Sequence, residues 1–172
     1  MKILGIDPGS VITGFGLIEV DKPKIQPITY GEISTSKNLD FPRRLKHIYS
    51  KICGIIAKNR PDVVAIENIF LSKNFKTAVK IGEAKGIAIL AAANHEIDVV
   101  EYAPRRIKES ITGYGQAGKP QVQKMIVNLL GLSQPPDENA SDALAVAICH
   151  YHSLQSVSSL ICDDKLFRGK TG

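Results

Sequence analysis

The sequence predicts an α/β fold, a mixed five-stranded sheet with helices on both faces. Three strand-like segments open the chain with short connections, which favours antiparallel pairing. Helix-spaced and strand-like segments then alternate, as crossovers to parallel strands require. The total of 172 residues, 44% hydrophobic and 23% charged, suits one soluble domain with a substantial core.

The first strand, residues 2–7, contains Ile3-Leu4-Gly5-Ile6 and runs into Asp7-Pro8-Gly9-Ser10. A second, 13–20, begins Thr13-Gly14-Phe15-Gly16, and Asp21-Lys22-Pro23 supplies the turn into a third at about 25–34. Phe41, Leu45, Ile48, Ile52, Ile55 and Ile56 have helical spacing, with Arg43, Arg44, Lys46 and Lys51 on other faces. Pro61 precedes a fourth strand, 62–67, that ends in Glu67. Residues 75–93 read as a helix whose Ala78, Gly82, Gly86 and Ala92 permit close approach of another element, with Phe75 packing that helix. A fifth strand at 97–102 and helices at 120–131 and 138–154 complete a domain spanning 1–154. The Ser-rich segment 155–172 is expected to be a flexible tail.

A carboxylate inside an apolar, sheet-forming segment is costly to bury as an unpaired charge. Asp7 is such a group, and Glu67 ends a second strand in the same way. Asp142 enters the first turns of an apolar helix, where it can share a face with Glu138 or Asn139. Two strand acids and one helix acid, far apart in sequence, are what an oxygen-lined Mg2+ or Mn2+ site needs. A single Asp at a strand end is more often a turn or cap, so the combination carries the reading.

The surroundings are basic. The net charge is +5 and the isoelectric point about 9.1, which favours a polyanionic partner. After Glu67 come Phe70, Lys73 and Lys76, and later Arg105, Arg106, Lys108 and Lys119, all suited to phosphate contacts except Phe70, an aromatic wedge beside unstacked bases. Phe70 as a core plug is the plainer alternative. Lys80 and Lys85 read as solvated. The Gly-rich stretch Thr112–Gly118 suits a mobile loop against DNA, but it lacks the Gly-Lys-Ser/Thr ending of a nucleotide-binding P-loop.

Cys53, Cys149 and Cys162 are odd in number and widely spaced, so reduced thiols fit better than disulfides or zinc. His150 and His152 beside Cys149 fall on different helix faces. Asp7 interrupts the N-terminal apolar stretch, which argues against a secretory segment, and no run approaches membrane-span length. A cytoplasmic location is expected.

Ile3–Gly16, Ala65-Ile66-Glu67 with Phe70 following, and Ala140–Ala145 resemble the RuvC family of bacterial Holliday junction resolvases. Compatible spacing extends from about Met1 to about His152. The resemblance implies an RNase H-like fold, a homodimer, and metal-dependent nicking of two symmetry-related strands of a four-way DNA junction during recombination and repair. It also implies partnership with the RuvA–RuvB branch-migration complex. Asp7, Glu67 and Asp142 match the family's catalytic acids, and Lys108 and Lys119 match basic positions important there. In this reading Asp7 bridges two ions, Glu67 and Asp142 complete their coordination, and Lys119 steadies the scissile phosphate. Asn139 departs from the pattern, standing where many members carry Asp and some carry His. It remains a candidate ligand through its carbonyl oxygen.

Three alternatives compete. The Gly5–Ser10 segment also resembles the first phosphate loop of actin-like and sugar-kinase ATPases, but those need a second phosphate loop that this chain lacks. Another RNase H-like nuclease, or a junction-binding protein without catalysis, would share the same acids.

Overall fold

Strand β1 (Lys2–Asp7) is flanked on both sides, so its four inner residues are all buried and all apolar or glycine. It pairs antiparallel with β2 (Ile12–Asp21), which turns at Lys22-Pro23 into antiparallel β3 (Lys24–Ser34). On its other side β1 runs parallel to β4 (Val63–Glu67), and β4 runs parallel to β5 (Asp98–Tyr102). The sheet order is β3-β2-β1-β4-β5, the mixed five-stranded sheet read from the sequence. Its register shifts between Leu17 and Ile18, where Pro27 of edge strand β3 stands opposite Ile18. The computed structural model describes residues 1–69 and 75–167, with side chains through Ser156.

Two apolar layers cover the sheet. Helices α1 (Phe41–Asn59) and α2 (Phe75–Ala93) bury Ile48, Ile52, Ile56, Ala84 and Ala88 against Leu4, Ile6, Val64 and Ile66. On the opposite face, α3 (Pro104–Thr112), α4 (Lys119–Leu130) and α5 (Glu138–Phe167) close over Ile3, Val63 and Ala65. Local chemistry fixes the ends. Asp40 caps α1 by accepting from Arg43 N at 3.0 Å, and Gly113 (φ 75°) and Gly131 (φ 62°) close α3 and α4 in the left-handed conformation.

Three features depart from expectation. Helix α3 was not anticipated, although Pro104 at its start and Ile107 and Ile111 one turn apart fit its single buried stripe. Helix α5 continues past residue 154 to Phe167, so the segment from Gln155 starts as helix rather than as a loose tail. Ser156 Oγ donates to His152 O there, at 3.0 Å. Phe75, expected to pack its helix, is 71% exposed.

Helix α5 lies directly on the sheet because glycines bare the backbone beneath it. A Cβ on Gly5 would sit 2.0 Å from Ala143 O, and one on Gly14 would sit 1.9 Å from Asn139 O. Over this contact α5 is buried on all sides from Ala143 to Tyr151, as expected for a helix that is apolar all round.

The packing makes a direct prediction. Gly5→Ala places a methyl group against helix backbone that cannot swing away, so α5 must lift. Overpacking of this kind costs about 1–3 kcal/mol. A lowered thermal midpoint is expected, and an unchanged one would show that α5 slides freely.

Candidate active site

Side chains alternate across a strand, so Asp7 projects on the same face as Ile3, and Glu67 on the face of Val63 and Ala65. That face is the one covered by α3, α4 and α5. Ile6 stands opposite Ile66 in the parallel register, which brings the next residues, Asp7 and Glu67, to the same level at adjoining strand ends. Asp142 descends from the first turns of α5, Lys119 opens α4 and Lys108 extends from α3. Asp7, Glu67, Asp142, Lys108 and Lys119 line one cleft of about 250 Å³ together with Pro104 and Val122.

The acids are held in an unfavourable state. Burial is the main reason that the Asp7 carboxyl is pushed up to about 6, and the Asp142 charge adds to it. Burial likewise pushes Glu67 up to about 8, with the charges of Asp7 and Asp142 adding to the effect. The two are hydrogen-bonded to each other, lowering Asp7 and raising Glu67, so Glu67 holds the proton and Asp7 accepts it. Asp142 is turned instead to Lys119, whose Nζ donates to Oδ2 at 3.1 Å and also to Glu138 Oε1. Partial burial lowers the Lys119 pKa, but these two acceptors outweigh it and leave the ammonium firmly charged. Lys119 also holds Glu138 below the usual carboxylate range.

Among the described residues, no three His, Cys, Asp or Glu side chains form a ready-made metal cage. The donor set nevertheless fits a hard divalent cation. It is all carboxylate oxygen, and burial and mutual repulsion push the Asp7 and Glu67 carboxyls up, which a cation would reverse.

The other expected residues fall in several places. Asn139 donates Nδ2 to Glu32 Oε1 on β3 at 2.6 Å, and it is not among the residues lining the cleft. Lys76 is exposed in the first turn of α2. Arg105 is exposed with its aliphatic stem close over Gly115. Phe70 and Lys73 lie outside the described residues. The Thr112–Gly118 loop is internally braced: Thr112 Oγ1 donates to Lys108 O at 2.8 Å and accepts from Tyr114 N at 3.2 Å, while Ala117 is buried. Tyr114 is 58% exposed near its tip. His150 shares a hydrogen with the Tyr102 hydroxyl at 2.8 Å, and His152 pairs with Ser110 at 3.1 Å, both away from the cleft. Sequence reasoning missed Lys85, expected to be solvated, which is bonded to Asn68 and Glu101 beside Glu67. No periodicity marks such a partner.

Residues 3–150 match the family model for the crossover junction endodeoxyribonuclease RuvC. The chain is 50% identical over 159 residues to RuvC of Caldicellulosiruptor saccharolyticus, covering 91% of this chain and 96% of that relative. Among solved structures it is similar to Thermus thermophilus RuvC in complex with a Holliday junction substrate, with a TM-score of 0.86 and 30% identity over 91% of this chain and 96% of that one. The yeast mitochondrial Holliday junction resolvase Ydc2, at 11% identity, has a TM-score of 0.65 over 94% of this chain and 85% of its own, a likeness of fold.

Two predictions come from the electrostatics. Unfolded, both strand acids ionise near pH 4, whereas folded they hold protons to about 6 and about 8. The folded state therefore binds more protons on this pair across that window, so the pair's contribution to the stability of metal-free protein is fully present below about pH 4 and is lost as pH rises towards 8. Glu67→Gln cannot ionise and should flatten the decline between about pH 6 and 8, raising stability at the upper end by on the order of 2 kcal/mol. Thermal midpoints across that range test this, and an unaltered slope would refute it. Asn139→Asp, in turn, sets a second carboxylate against Glu32 on a half-buried surface. It should lower the melting temperature near pH 7 and recover it on acidification or with Glu32→Gln. An Asn139→Asp protein as stable as the parent chain would show that the Asn139–Glu32 bond is incidental.

Proposed function

The chain belongs to the RuvC family of crossover junction endodeoxyribonucleases, which resolve Holliday junctions, and we propose that it does so by paired, metal-dependent nicks in two symmetry-related strands. The observation that carries this reading is the meeting of three acids from separate elements with Lys108 and Lys119 in one cleft. Scaffold sites have no need of cations beside their ligands, whereas a phosphodiester substrate does.

Asp7, Glu67 and Asp142 would hold Mg2+ or Mn2+, two ions per site, as hard oxygen donors. When bound, such ions stabilise the charge that develops in an in-line phosphodiester displacement. The chain's own residues do the rest. Glu67, pushed up by burial, would serve as a ligand in its ionised form. Lys119, drawn away from Glu138, donates to a non-bridging phosphate oxygen and balances charge there. Lys108, which lines the same cleft, holds the neighbouring backbone, and the exposed Arg105 and Lys76 are proposed as further phosphate contacts. Phe70 and Lys73 follow Glu67 closely in sequence and are proposed as a wedge and a phosphate contact at the junction centre.

A four-way junction has two equivalent strands to cut, so a two-fold homodimer presenting two clefts is proposed. Helix α2 supports it. Phe75, Val79 and Leu90 are exposed on one flank, and a Cβ on Gly86 would meet nothing within 4 Å. This stripe is open to a second copy. Family membership also supports action alongside the RuvA–RuvB branch-migration complex in the cytoplasm. Among the described residues, no helix is long and apolar enough to cross a membrane.

Incubation with a synthetic four-way junction, linear duplex and RNA–DNA hybrid, in Mg2+, Mn2+ or chelator, tests the activity. Paired nicks in the junction alone, requiring metal, are expected. Preference for the hybrid would favour another RNase H-like nuclease, and binding without turnover a non-catalytic protein. Asp7→Asn should abolish cleavage while leaving junction affinity largely intact, because phosphate contacts supply most of the binding. Near parental cleavage by that variant would defeat the assignment. Leu90→Glu should shift the sedimenting species from dimer to monomer, and a dimer that persists would move the interface off α2.

A further inference from the structure

Lys85 lies on the inner side of α2, with its side chain only 12% exposed. A lysine that loses most of its water needs partners for its charge, and it has two. Nζ donates to Glu101 Oε2 at 2.7 Å and to Asn68 Oδ1 at 2.9 Å. The same Asn68 oxygen accepts from Ile69 N at 2.9 Å, and Asn68 N donates to Tyr102 O at 2.8 Å. Glu101 and Tyr102 end β5, and Asn68 directly follows Glu67 at the end of β4. One ammonium group therefore ties α2 to the ends of two parallel strands.

From these contacts we infer that Lys85 is a positioning residue for catalysis. It locks the end of β4 so that Glu67 meets Asp7 and Asp142 in the cleft. Lys85 belongs to α2, whose Ala84 and Ala88 pack on one face of the sheet, whereas Glu67 lines the cleft on the other. It touches neither substrate nor cation and acts only through Asn68 and the strand backbone. The physical need is clear. Glu67 stands at the last residue of β4 and meets Asp7 and Asp142 in the cleft, so a strand end free to splay would carry its carboxylate out of register. A charge-assisted clasp behind it opposes the splaying.

This inference rests on the nuclease reading for its effect on rate, but not for its effect on structure. Lys85→Met keeps the stem and removes the charge. Single-turnover cleavage of a saturating four-way junction should fall about 10- to 100-fold, the cost of misplacing a catalytic group slightly. Junction affinity in chelator should stay within about twofold, since no phosphate contact is lost. Hydrogen exchange at the Asn68 and Ile69 amides should quicken about tenfold, while exchange in β1 stays slow. Lys85→Arg should recover most of the rate and the protection. If Lys85→Met fails to fold, Glu101→Gln, at a partly exposed position, should show the same two effects to a smaller degree. An unchanged rate, unchanged exchange at Asn68 and Ile69, or a rate loss that tracks the unfolded fraction would overturn the inference. A parent chain that does not cut junctions would bring down the nuclease reading. Exchange measured without DNA would still decide whether Lys85 holds this strand end.

Discussion

The close approach of α5 to the glycines of β1 and β2 sets where Asp142 stands relative to the two strand acids in the cleft. A carbonyl of α5 occupies the space where a side chain on Gly5 would stand, and another does the same above Gly14. Helix and sheet are thereby held at a distance that leaves Asp142 beside the strand acids. The same contact buries α5 from Ala143 to Tyr151 on all sides, which makes it a rigid member rather than a surface helix. Side chains on rigid elements keep their mutual geometry better than side chains on loops. The acids here use that advantage fully, because none of the three sits on a loop.

The fold holds this geometry against its own electrostatics. Asp7 and Glu67 are forced together by the register of β1 and β4, and the result is a shared proton rather than two charges. Asp142 is turned instead to Lys119, whose ammonium donates to its Oδ2. Local strain of this sort is commonly kept at functional sites and offset by packing elsewhere. Here the offset is supplied by two apolar layers and by the clasp behind β4.

Much of this was legible in the sequence, and the reasons differ by element. Asp7 and Glu67 stood out because each interrupts or ends a short apolar run, where an acid has no structural excuse. Asp142 was readable from its place in the first turns of an apolar helix, and the resemblance to RuvC singled out Lys108 and Lys119 among the basic residues. Helix α3 escaped notice because nine residues with two buried positions leave too little periodicity to register. The partner of Asn139 could not be read, since Glu32 lies 107 positions away and only the folded sheet brings them together. Lys85 was misread for the same reason: lysines are solvated as a rule, and only the meeting of α2 with two strand ends makes this one an exception.

Edge strands are templates on which further strands can add, and a long edge strand normally invites unwanted pairing between chains. Strand β3 is such an edge, eleven residues long, yet Pro27 removes one amide from its row and the register shift beside it breaks the flat repeat. A neighbouring molecule therefore finds no continuous ladder to extend. Growth by sheet addition, the route to fibres, is discouraged at this edge.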